Sequence, residues 1–209
     1  TKINPADFKI QIDSLYAHFE RGKTLYGDKT LYRFNQKTTA TTVEVSYKEM
    51  LDLITDLALA FQKKEMAGKR VILIGETTVQ WIASYISTVT ADGVIVPLDP
   101  HLLEEEIIKF VKLTKASFVV CSKTYADMFK AHEEELDGVE NFIVTDRETF
   151  ALYPEQEYVE ERFTTFNNLL ALGRYLAKNT DMVLNTRERD IKKLSILLFT
   201  SGTTGSSKG

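Results

Sequence analysis

The sequence predicts an α/β fold with a mostly parallel sheet flanked by helices. Two observations carry this. From Arg70 onward, four short apolar runs (Arg70 to Ile74, Val94 to Leu98, Ser117 to Cys121, Asn141 to Val144) alternate with segments of helical periodicity. The chain also has 209 residues, 44% apolar and 27% charged, enough for one large domain or two small ones with a substantial core.

The elements follow in order. Ile12 to Arg21 reads as a short helix capped by Asp13 or Ser14, with Ile12, Leu15 and Phe19 inward. His18 on it is a surface or packing residue. Thr30 to Phe34 and Thr41 to Val45 read as a hairpin around Asn35 to Ala40. Ser46-Tyr47-Lys48-Glu49 is a capping-box pattern. The helix it opens runs to about Lys64, with Met50, Leu53, Ile54, Leu57, Ala58 and Phe61 at helical spacing. Gly68 ends that segment.

After the strand at Arg70, Gly75 to Thr78 turns the chain into a second amphipathic helix. Its stripe is Trp81, Ile82, Tyr85, Ile86 and Val89. We read Trp81 as core, not as a stacking platform. Asp92-Gly93 breaks this helix. In Val94 to Leu98, Pro97 cannot donate to a sheet, so the strand ends or lies at an edge there. Asp99 reads as a turn cap, not a catalytic carboxylate.

His101 with Glu104, Glu105 and Glu106 invites a metal reading. Three acids in the first turn of a helix are better explained by the positive end of its dipole. That helix reaches about Thr114, with Leu103, Ile107, Phe110 and Val111 on one side. Cys121 reads as a small buried apolar residue, and His132 to Glu135 as a solvated helix face without an HExxH pattern. Asp146 to Arg162 reads as a surface excursion, Phe166 to Leu176 as a helix, and Asn179 to Asp190 as the return to a last strand.

The totals exclude several classes. Net charge is −4, so there is no overall basic signature for nucleic acid. One cysteine allows no internal disulfide and no CxxC metal site. No apolar run approaches the roughly 20 residues of a transmembrane helix, and the amino terminus has no signal-peptide core. These features predict a soluble, cytoplasmic protein.

The chemistry concentrates in Leu194 to Gly209, LSILLFTSGTTGSSKG. An apolar strand runs into a loop of hydroxyls and glycines that ends in Lys208. Gly202 and Gly205 let the backbone approach a ligand closely. Thr200, Ser201, Thr203, Thr204, Ser206 and Ser207 add donors, and Lys208 adds a mobile point charge. Many donors and one cation suit a polyphosphate. A Walker A loop is excluded, because Ser207 precedes Lys208 and Gly209 follows it.

The stretch resembles the phosphate loop of the AMP-forming adenylating enzymes, the AMP-dependent synthetase/ligase family. Their signature is an apolar strand followed by [ST]-S-G-[ST]-T-G-x-P-K-G; Ser207 here stands where Pro is usual. Two weaker boxes precede it in order. VSYKEML near residues 45–51 is similar to the family's first box, and VIVPLDP within residues 93–100 to its second. The overall texture is closest to the long-chain fatty-acid–CoA ligases.

The resemblance implies the following. Residues 1–209 form the N-terminal part of a synthetase/ligase domain, with the phosphate loop at 199–209. The full enzyme would join a carboxylic acid, here a fatty acid, to ATP, release pyrophosphate, and pass the acyl group to coenzyme A. Thr200, Ser201, Gly202, Thr203, Thr204, Gly205 and Lys208 would bind the ATP phosphates, and Thr200 would touch Mg²⁺. The family's later boxes, with their catalytic and adenine-binding groups, are not in this sequence. The chain alone is therefore expected to be inactive, with no catalytic residue of its own and the remainder of its own chain as partner. We expect the residues after Ser201 to be weakly held and the exposed subdomain surface to self-associate. The alternatives are a piece of an amino-acid or aryl-acid activating enzyme, or a non-catalytic binding module of the same fold.

Overall fold

The computed structural model describes residues 14–185 and 192–199. Its centre is a five-stranded parallel sheet in the order β4-β3-β5-β6-β7. The strands are β3 (Arg70–Ile74), β4 (Val94–Pro97), β5 (Phe118–Ser122), β6 (Asn141–Thr145) and β7 (Phe163–Thr165). Helices cover both faces, as a parallel sheet requires. Alternate side chains of each strand enter different cores. Val71, Leu73, Ile95, Val120 and Ile143 join one core with α2 (Tyr47–Lys63), α3 (Val79–Thr90) and α6 (Phe166–Asn179). Ile72, Ile74, Val96, Val119 and Phe142 join the other with α4 (Glu104–Thr114) and α5 (Ala126–Ala131).

A separate antiparallel hairpin, β1 (Thr30–Asn35) and β2 (Thr42–Ser46), precedes this unit. It feeds directly into α2 through the expected capping box. The Ser46 hydroxyl accepts from the Glu49 N–H at 3.2 Å, and the Glu49 carboxylate accepts from the Ser46 N–H at 2.8 Å. All six apolar positions assigned to α2 from periodicity are fully buried.

The structure departs from the sequence reading in five places. The first helix, α1 (Leu15–Tyr26), runs five residues further, until Gly27 at φ 52° closes it. Its cap is Ser14, one of the two expected, but Tyr16 replaces Leu15 on its buried side. In α3 the buried side is Ala83, Ser84, Ser87 and Thr88 with Ile86 of the expected stripe, while Trp81, Ile82, Tyr85 and Val89 are half-buried. Small residues allow α3 to approach α2 closely, and the Ser87 hydroxyl donates to the Ile54 carbonyl at 3.0 Å. Leu103 is the exposed N-cap of α4, and Ile108 is buried instead. The polar excursion after β6 ends in β7, an edge strand of three residues that the sequence reading missed.

The segment before the loop lies against the sheet. The Ile95 N–H donates to the Ser195 carbonyl and the Leu197 N–H donates to the Ile95 carbonyl, both at 2.9 Å, in a parallel bridge outside β4. Leu197 and Phe199 pack into the α4 core, with Phe199 4.5 Å from Phe110 between ring centroids. Leu194 and Leu198, on the opposite side, stay exposed.

Candidate functional site

Chain direction decides where chemistry can gather. All five strands of the sheet point the same way, so their carboxyl ends share one edge. Helical connections depart from that edge toward both faces. The chain passes from β3 to β4 on one side and then crosses to β5 on the other, so β3 and β5 diverge at a topological switch point. Ligand crevices in open α/β sheets form at such points.

Gly75 makes this junction possible. It follows β3 at φ 136°, a conformation that side chains avoid, and a Cβ there would lie 2.7 Å from the Cβ of Ser122. The residues leaving β3, β5 and β6 then line a cleft of about 350 Å³. Its polar groups include Glu76, Thr78, Ser122, Lys123, Asp146 and Arg147. The Lys123 ammonium pairs with Asp146 at 3.2 Å. The Glu148 carboxylate accepts from the backbone N–H of Thr38 (2.8 Å) and Lys37 (3.2 Å), which ties the hairpin loop to the cleft. These amide bonds, with that of Thr38 foremost, hold the Glu148 carboxyl below its usual range. The arrangement is a polar crevice with cations and hydroxyls of the kind that receives a polar ligand.

The segment 195–197 runs parallel to β4. It therefore delivers the chain toward the same carboxyl edge, beside β4. Thr200, Ser201, Gly202, Thr203, Thr204, Gly205 and Lys208 lie outside the described residues, as does the expectation of a weakly held loop. What is described is the rail that leads to them.

The other singled-out residues have structural explanations. Asp99 forms an Asx turn: its carboxylate accepts from the His101 N–H at 2.8 Å and meets the His101 ring at 2.9 Å. The backbone bond is the main reason its carboxyl is held below the usual value. Of the acids opening α4, Glu106 accepts from the Leu103 N–H at 3.0 Å. Glu104 meets the His132 ring at 2.7 Å. Among the described residues no three potential ligands gather to hold a metal. Burial pushes the Cys121 thiol up to about 12, so it is no nucleophile. His18 is exposed, and Trp81 stacks on Tyr85 at 5.6 Å.

Sequence reasoning missed Lys123, Asp146, Arg147 and Glu148 as cleft residues. The available signal was position: each lies in the turn immediately after a predicted strand, where a parallel sheet presents its ligand-binding edge.

Known proteins extend this picture. A family model described as AMP-binding enzyme matches residues 19–209. A luciferin 4-monooxygenase from Photuris pensylvanica is 26% identical over 181 residues, covering 82% of this chain and 30% of the relative. Among solved structures, the A-PCP didomain of a carboxylic acid reductase from Segniliparus rugosus, in complex with AMP, superposes with a TM-score of 0.71 at 19% identity. It covers 96% of this chain and 32% of its own. The anthranilate CoA ligase AuaEII, in complex with anthranoyl-AMP, gives 0.72 at 16% identity, covering 98% and 35%. The chain thus spans about a third of the length of these proteins.

Proposed function

The chain belongs to the AMP-binding enzyme family, and on that premise we propose that it contributes the phosphate-gripping part of an enzyme that activates a carboxylic acid with ATP. The supporting observation is the juxtaposition of the segment bridged to β4 at Ile196 with the Ser/Thr/Gly/Lys loop that follows it in sequence.

In this reading Thr200, Ser201, Gly202, Thr203, Thr204, Gly205 and Lys208 hold the triphosphate. Negative charge grows on the departing pyrophosphate as the acid attacks the α-phosphorus. Amides, hydroxyls and an ammonium fixed before the reaction stabilise that charge without reorganising. The hydroxyl oxygens of the loop, that of Thr200 among them, suit Mg²⁺, which takes few protein oxygens beside those of the phosphates and would neutralise the charge they carry. The acyl-adenylate then passes its acyl group to the thiol of coenzyme A. The acid is a fatty acid, and the compartment is the cytoplasm. No helix among the described residues is long and apolar enough to cross a membrane, which accords with that placement.

The relatives are about three times as long as this chain, so the activity belongs to the whole protein. The exposed stripe of Leu194 and Leu198 supports a further part of the reading. The remainder of the polypeptide covers this surface, and without it the chain self-associates.

The test is ATP–pyrophosphate exchange by the full-length protein across a panel of carboxylic acids. Exchange driven by long-chain fatty acids is expected. Exchange driven only by aryl or amino acids would replace the substrate, and absence of exchange with every acid would overturn the proposal.

A further inference from the structure

We propose that the space between the β1–β2 hairpin and the first turn of α3 binds a short 2-hydroxycarboxylate. The cavity measures about 130 Å³, and its walls include Tyr32, Phe34, Gln80, Ile82, Arg147 and Phe150. An engineered apolar cavity of roughly this size accepts benzene, so about six heavy atoms fit.

Three features select the occupant. Gln80 is only 2% exposed, yet its amide oxygen has no hydrogen-bond partner. A buried acceptor without a donor is costly, so the ligand must bring a donor. Arg147 supplies the second feature. Its Nε is also buried without a partner, and no ion pair to Arg147 occurs among the described residues. The guanidinium lies 5.2 Å from the centroid of the Phe34 ring. Stacking occupies its face and leaves its donor edge for a carboxylate. The neighbouring Arg33 is already paired with Glu44 at 2.6 Å, so the site calls for a single negative charge.

The third feature is the apolar surface that Phe34, Ile82 and Phe150 present beside the hydroxyls of Tyr32, Thr77 and Thr78. A bare phosphate would set oxygens against Phe34, Ile82 and Phe150, which offer no donor. A small alkyl body satisfies them. The amino-terminal end of α3 adds a weak positive potential at the same mouth. Gln80 also borders an open cavity toward β7, but Arg147 does not, which assigns the ligand to the hairpin side. Thr78 and Arg147 line both this cavity and the cleft at the sheet edge, so an occupant would fix the cleft's arginine.

Lactate and propionate share a skeleton and differ in the hydroxyl, so they form the test pair. Binding to the full chain is measured by saturation-transfer NMR and by thermal shift. Lactate should bind at least about tenfold more tightly than propionate, as expected when one ligand leaves a buried acceptor unpaired. It should raise Tm by about 3–5 °C at ten times Kd. Gln80→Met should erase the preference while leaving the ligand-free Tm unchanged or higher, and Arg147→Met should abolish binding of both acids. Equal affinity for the two acids, no binding of either, or an intact preference in Gln80→Met would each overturn the proposal. The wild-type comparison decides it even if a variant fails to fold.

Discussion

Gly173 of α6 lies directly on the backbone of Asp56 in α2: a Cβ at residue 173 would come within 1.8 Å of the Asp56 carbonyl oxygen. The helices are therefore in contact at their backbones, and the neighbouring Leu169, Leu170 and Leu172 are buried against α2 as a result. Backbone cannot move aside as a side-chain tip can. Gly173→Ala should cost about 3 kcal/mol by overpacking, despite the better helix propensity of alanine. Urea denaturation checks this; an unchanged midpoint would mean the two helices do not meet there.

The turn after β3 carries the second prediction. Gly75 is constrained twice, by φ 136° and by Ser122. Gly75→Ala should destabilise by about 2–4 kcal/mol. Adding Ser122→Gly removes the side-chain contact but leaves the backbone nitrogen of residue 122 at 3.0 Å and the strain at φ 136°, so the double variant should recover only part of the loss. Full recovery would show that contact alone required the glycine.

Asp56 provides a pH signature. Burial raises its carboxyl to about 6, against the opposing pull of Arg174, whose Nε lies 3.1 Å away. The native state thus keeps a proton that the unfolded chain releases near the ordinary value of 3.8. The sign follows: between those values the native state binds more protons, so stability falls as pH rises toward 6 and stays lower above it. Asp56→Asn should flatten the stability profile between pH 4 and 6.5, read by denaturant midpoints at fixed ionic strength. An equally steep decline in the variant would assign the proton elsewhere. His132, whose ring is raised by the carboxylates of Glu135 and Glu104, contributes stability that is lost only as pH climbs past the ordinary histidine value of 6.5, outside most of this window.

Much of the fold was legible because local and global preferences agreed. Four strands were found as short apolar runs, and the α2 stripe at Met50, Leu53, Ile54, Leu57 and Phe61 from its period. The capping box at Ser46 was found from chemistry. The failures have physical causes. β7 has three residues, Phe163–Thr165, too few to show a period, and it is defined by its partner β6. In α3 the apolar stripe is wide, and the choice of buried side fell to the small residues that let α2 approach. The loop's Ser, Thr, Gly and Lys residues were singled out from composition and spacing, and they lie outside the described residues. The cleft at the sheet edge was not, because Lys123, Asp146 and Arg147 are scattered in sequence and united only by strand order.

The central claim is that Lys208 and its loop grip the phosphates of ATP. Pyrophosphate exchange by full-length protein carrying Lys208→Ala, beside wild type and with the acid that drives exchange best, tests it most directly. The account predicts a fall of about 100-fold or more, the usual loss when one preorganised charge-stabilising donor is removed, with unchanged circular dichroism. Exchange at the wild-type rate would contradict it.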